Sequence, residues 1–178
     1  MRQISWLRYN FAMPIRLIIR LSKAVLSLSM GLFAAIVVFS NLTDYKTNYR
    51  FVSHVLSMDT TFPDSNTRKR AIRSPRWYHI FYGLVIAFEA VVAVLCGLGG
   101  LAMLFAAKKD SQTFHESKRL SIAGLFSGLM VWFTGFQVIA SEWFGSWMSN
   151  DWNGLPSAAR LTQIMSALLV FISMKNDD

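Results

Sequence analysis

A single carboxylate in the middle of a hydrocarbon-like stretch is the first group in this chain able to do chemistry. Glu89 stands alone in WYHIFYGLVIAFEAVVAVLCGLGGLAMLFAA, residues 77–107. Placing a charge at such depth costs at least ~2.5 kcal/mol, so the side chain needs a partner or a task. Two arrangements fit: a protonated carboxyl hydrogen-bonded to a neighbouring helix, or a proton or cation site on a path across a bilayer. Tyr82, Ile86, Glu89, Ala93 and Gly97 follow three- and four-residue steps and share one helical face. The small residues on that face let another helix come close, so Glu89 is expected to face protein rather than lipid.

A second group of ligand atoms is carried by His54, Asp59 and His79, with Glu142. Together they have the chemistry of a metal or acid–base cluster, yet their spacing matches no recognised ligand pattern such as HExxH. His54 hydrogen-bonded within its own loop is the simpler reading. Cys96 is the only cysteine. It excludes an intrachain disulfide and a Cys-built metal site, and it reads as a packed thiol. No phosphate-cradling glycine loop, dinucleotide fingerprint or nucleophile elbow is present. The residues therefore name no catalytic, cofactor-binding or metal-binding group, and the chain reads as a non-enzyme.

The elements that must position these groups follow from where the apolar residues sit. A chain of 178 residues allows one domain. Hydrophobic residues make up 53% and charged ones 16%, gathered into four apolar blocks between polar stretches rather than into amphipathic stripes. That pattern argues for membrane spans. The expected fold is all-α and polytopic: a four-transmembrane-helix bundle with spans at about 21–41, 77–107, 120–147 and 157–174. Outer loops cover 42–76 and 148–156, and the whole of 1–178 forms one membrane domain. The second span, ~46 Å long as a straight helix, exceeds a ~30 Å hydrocarbon core and must tilt or project. Counting ~1.5 Å per residue from the outer end of each span puts Glu89 level with Ser29, Trp132 or Thr134, and Ser166.

Residues 1–15 suit a short interfacial helix or a loose tail, and Pro14 suits a helix start. The first apolar run is too long for a signal peptide and reads as an uncleaved span. Phe51, Val52, Val55 and Leu56, followed by Met58, recur at helical spacing. They predict an amphipathic helix at about 44–58, with Thr43 or Asp44 as its cap. Asn41-Leu42-Thr43 fits a glycosylation sequon but abuts the span, which makes the match accidental. Gly124 and Gly128 form a GxxxG pair that permits close helix contact, more readily within one chain than between copies.

The net charge of +8 invites a nucleic-acid reading. The basic residues, however, lie at the edges of the apolar blocks: Arg16, Arg20 and Lys23; Arg68 to Arg76; Lys108 and Lys109; Lys118 and Arg119. Lipid headgroups and topology rules act at such positions, so the expected partners are a lipid bilayer and no nucleic acid. Two of three charge comparisons across the spans favour cytoplasmic N- and C-termini. The outer rim holds Glu142, Trp143, Phe144, Trp147, Asn150, Asp151, Trp152 and Asn153, which reads as an aromatic belt or as a docking surface.

Two stretches carry a resemblance. Asn41-Leu42-Thr43-Asp44-Tyr45, with Asn48 and the run from Phe51 to Phe62, is one. Glu142-Trp143-Phe144, Trp147, Trp152-Asn153-Gly154 and Ala158-Ala159-Arg160 is the other. Together they resemble the bacterial domain-of-unknown-function family 2165, predicted small integral membrane proteins, over nearly the whole chain. Glu89 falls where that family tends to place a Glu in its second span. The resemblance implies location and topology, and it transfers no catalytic residue. Both stretches fall on one side of the expected topology. Asp44, Tyr49, His54, Asp59, Glu142, Asn153 and Arg160 are therefore expected to form one polar cap, with Arg160 as counter-ion for Glu142 or Asp59. The leading expectation is a bacterial inner-membrane accessory or structural subunit binding another membrane protein, or a second copy, through this cap. The alternative is a small oligomeric transporter or channel using Glu89.

Overall fold

A computed structural model of the protein describes residues 13–175. The expected interfacial segment before Met13 and the acidic end of the chain lie outside the described residues. Four helical stretches are long and apolar enough to cross a membrane: Ile15–Thr43, Pro75–Ala106, Ser111–Trp143 and Leu155–Ser173. All regular structure among the described residues is helical.

Helix α1, Ile15–Thr43, begins directly after Pro14 and so runs two turns deeper at its start than the expected 21–41. Arg16, Arg20 and Lys23 are therefore inside the helix rather than ahead of it. After a one-residue break, α2 covers Tyr45–Ser57, close to the predicted amphipathic helix. Asp44 occupies the cap position, but its carboxylate accepts from the Thr47 hydroxyl (2.7 Å) rather than from a backbone N–H. The helix stops at Met58, which adopts the left-handed conformation (φ 53°) while its side chain is fully buried. Burial offsets the ~1–2 kcal/mol that such a conformation costs a non-glycine residue.

Helix α3, Pro75–Ala106, carries Glu89 and starts with Pro75 in its first turn, where a missing N–H costs nothing. The third crossing departs from the expected single helix over 120–147. A short α4, Ser111–Ser117, is capped by Asp110, whose carboxylate accepts from the backbone N–H (2.9 Å) and hydroxyl (2.7 Å) of Thr113. Helix α5, Arg119–Leu129, then passes into a π-helix, Met130–Trp143. The widened ladder ends with Phe144 N–H donating to Ile139 O at 3.0 Å. Gly145, at φ 66°, turns the chain into a short 3₁₀ turn, Ser146–Met148, which places Trp147 in the connector instead of in the span. Helix α6, Leu155–Ser173, completes the set.

Consecutive long helices pack antiparallel. The α1/α3 contact is the most extensive, followed by α3/α5 and then α5/α6. Gly31 shows how close the first pair comes: a Cβ added there would meet Gly97 N at 2.7 Å and Ala93 O at 3.1 Å. The GxxxG glycines work within the chain, Gly124 against Cys96 of α3 and Gly128 against Met165 of α6. Two buried clusters result. The larger runs through the spans around Ala24, Val92, Cys96, Leu125 and Met165. The smaller, around Val55, Leu56, Met58, Tyr78 and Phe144, glues α2 to the start of α3 and the end of the π-helix.

Candidate functional site

Glu89 is buried, 3% exposed, and faces α1. Asn41 near the end of α1 donates from Nδ2 to Glu89 Oε2 at 2.7 Å. The Asn41 Oδ1 accepts from Asn48 of α2 at 2.5 Å, and the Tyr82 hydroxyl donates to the Asn41 backbone carbonyl at 3.2 Å. Three helices are pinned at this point. The expectation that Glu89 faces protein holds, whereas the expected partners do not. Ser29 is exposed, and the Thr134 hydroxyl turns to Met130 of its own helix. Depth counting failed because the first three turns of α3 pack against α2 at the connector end rather than lying within the span. Tyr78 and Tyr82 pack there against Tyr49 and Tyr45, so Glu89 lies level with the end of α1.

The two connectors at this end of the helices pack against each other. The ring of His54 stacks on Trp152 (4.4 Å, 13°), and Phe51 meets both Trp152 (6.4 Å) and Phe136 (6.0 Å). The two connectors thus form one packed unit. His54 Nδ1 donates to Asp59 Oδ2 at 2.8 Å, within its own loop. His79 sits elsewhere: its Nδ1 pairs with the Tyr45 hydroxyl at 2.9 Å, and its ring stacks on Tyr49 at 4.4 Å. Burial, and then Tyr49, push the Tyr45 phenol above its ordinary range. No three His, Cys, Asp or Glu side chains converge among the described residues.

The expected Arg160 ion pair is a correction. Arg160 donates to Ser157 Oγ on its own helix at 3.2 Å and reaches neither Glu142 nor Asp59. Its place on the first turns of α6 points it along that helix, and Asp59 is already taken by His54. Glu142 is exposed, and Asn153 accepts from Leu155 N–H at 3.1 Å to open α6. The exposed aromatics line up along the rim instead. Trp147 meets Phe62 edge-on at 5.9 Å, and Arg70 lies 4.4 Å over the Trp143 ring while donating to Trp143 O at 3.1 Å.

At the opposite end lies a cluster that sequence reasoning assigned to lipid headgroups. Arg20, Lys23 and Lys118 are buried. Arg20 donates to the carbonyls of Ala107 (3.1 Å) and Lys109 (2.7 Å) and to Ser111 Oγ (3.1 Å). Lys23 and Lys118 both donate to Met174 O, at 2.8 and 2.9 Å. Cations thus meet the open carbonyls and negative dipole ends of α3 and α6. Between the two ends, Ser27 bonds both the Cys96 carbonyl (2.8 Å) and the Ser121 hydroxyl (2.7 Å). The missed residues had a signal: Arg20, Lys23, Ser27, Gly31, Ala34 and Asn41 fall on one face of α1 at three- and four-residue steps, skipping one turn.

A family model described as "Predicted small integral membrane protein (DUF2165)" matches residues 19–175. No curated protein and no solved structure matches the chain.

Proposed function

This chain belongs to the DUF2165 family of predicted small integral membrane proteins, and we propose that it serves as an accessory subunit that binds another membrane protein through its outer cap. In this reading it resides in the bacterial inner membrane with both termini cytoplasmic, and it carries no catalytic role. The observation that supports it most is the joining of the two outer connectors by the His54–Trp152 stack. That contact fixes Phe62, Trp143 and Trp147, all exposed, on one rigid ledge. Rigid aromatics lose little entropy on docking and are typical binding anchors. The neighbouring Arg68, Lys69 and Arg70 suit a partner with an acidic rim around apolar groups.

Glu89 carried the alternative reading of a transporter or channel. Its bond to Asn41 and its burial support a structural pin, so that reading gains nothing from the geometry.

Photo-crosslinking in native membranes tests the proposal. A crosslinker at Phe62 and one at Trp147 should trap the same protein, and one at Leu101, toward the other end of α3, should not. Trp147→Ala should lower the crosslink from Phe62 by about tenfold, the ~1.4 kcal/mol expected of one lost aromatic anchor. Cap positions that trap nothing, or trap unrelated proteins, would remove the accessory-subunit reading.

A further inference from the structure

A cavity of about 270 Å³ lies between α2, α3 and the π-helix. No residue lining it has a polar side chain. Val55 and Leu56 of α2 close its outer side, Leu84 and Phe88 of α3 form one wall, and Gly135 and Ile139 of the π-helix form the other. Leu84, Phe88 and Ile139 are each 44–50% exposed, so the mouth opens sideways between α3 and the π-helix. In an integral membrane protein that direction is lipid. We propose that this groove binds one acyl chain of an anionic phospholipid, whose phosphate sits among the arginines at its outer edge.

Size selects a chain. The volume is nearly twice the ~150 Å³ of an apolar cavity that accepts benzene. It falls below the ~300 Å³ at which drug-sized pockets begin, and a protein helix, ~10 Å across, does not enter it. Charge selects the headgroup. Between Asp64 and Glu89 the chain carries Arg68, Lys69, Arg70, Arg73 and Arg76 and no acid. Arg76, Ile80, Leu84 and Phe88 share one face of α3, which puts Arg76 ~12 Å outward of Leu84 at ~1.5 Å per residue. On the opposite wall Arg70 is fixed to Trp143, beside the groove residue Phe144. Each wall therefore ends in a guanidinium, whose fork matches phosphate oxygens. The groove is lined by none of the ledge aromatics, while its headgroup end shares Arg70, held on Trp143, with the ledge; the lipid adduct and the protein crosslink are therefore read in separate experiments.

Native mass spectrometry of the full chain, relipidated with dioleoyl phosphatidylglycerol or dioleoyl phosphatidylcholine, provides the test. The wild type should retain a single phosphatidylglycerol adduct, preferred over phosphatidylcholine by about tenfold. Gly135→Leu fills the groove, and a Cβ there meets only Met130 O at 3.6 Å. That variant should lose the adduct of either lipid at unchanged melting temperature. Should it melt early, Ala140→Leu fills the same groove from another position and is expected to give the same loss. Arg70→Gln combined with Arg76→Gln should keep an adduct but lose the preference. A graded set of adducts without preference would mean ordinary surrounding lipid, and full retention by both filled variants would empty the groove of any role. A lipid-free dimer that Gly135→Leu dissociates would assign the groove to a second copy; any of these three results overturns the proposal.

Discussion

Asn41 spends its side-chain amide on Glu89, its side-chain carbonyl on Asn48 and its backbone carbonyl on Tyr82. Its side chain is buried, so each of these bonds to Glu89 and Tyr82 is worth more than in water. The partners of Glu89 then set what a substitution does. Glu89→Gln keeps an acceptor for Asn41, so thermal unfolding in detergent should stay near the wild-type midpoint. Glu89→Leu leaves the Asn41 amide unpaired and should cost ~1–3 kcal/mol, read as a lowered midpoint and lower abundance in the membrane. If Glu89→Leu matched the wild type in stability while a transport activity disappeared, the acid would be functional rather than a pin. Glu89 itself was legible from its depth and its small-residue face. Asn41 was not, because its meeting with Glu89 depends on how far α1 slides along α3, which the spacing within either helix does not record.

Among the elements, α1 and α3 make the most extensive contact, and absent side chains permit it, Gly31 on α1 and Gly100 on α3. The Cβ that Gly31 lacks would strike the backbone of α3, which cannot give way as a side-chain tip can. Gly31→Ala should therefore force the two helices apart and cost ~1–3 kcal/mol, as overpacking does. Gly83→Ala on α3 meets nothing within 4 Å and should change stability little. Comparing the two in one unfolding series checks this, and equal midpoints would show that the α1/α3 approach is looser than described. The sequence pointed to Gly97 for this contact. Gly97 does lie there, but its own missing Cβ would point into open space. Which glycine matters depends on how the helices rotate about their axes, and spacing within one helix cannot fix that rotation.

For the molecule as a whole, polarity is arranged in two layers with a small-residue seam between them. Aromatic stacks and the Glu89–Asn41–Asn48 chain tie the connector end, and Arg20, Lys23 and Lys118 tie the opposite one. Lipid-facing positions such as Phe33, Val94 and Phe105 are the large apolar ones, the reverse of a soluble protein. The antiparallel order puts the 44–74 and 144–154 connectors at one end and Lys109 at the other. Single cysteines at Lys69 and Asn150 should both react with an impermeant maleimide from outside the cell, and one at Lys109 should react only after lysis. Cys96 is buried and should stay silent. Labelling of Lys69 and Asn150 from opposite sides would contradict the shared outer end.

By itself the sequence determined the all-helical architecture, four helices long and apolar enough to cross a membrane, the amphipathic α2 and the meeting of the two connectors. Run length and periodicity are local properties, and alternating crossings dictate which loops share a side. Only the tertiary structure decided the partner of Glu89, the burial of three cations expected among headgroups, the turn of Arg160 to Ser157 rather than to Glu142 or Asp59, and the π-helical stretch beside an apolar groove. Those depend on helix rotation, on how far each helix slides past its neighbour and on which carbonyls are left open at helix ends. Such quantities are set between segments, where no single stretch of chain records them.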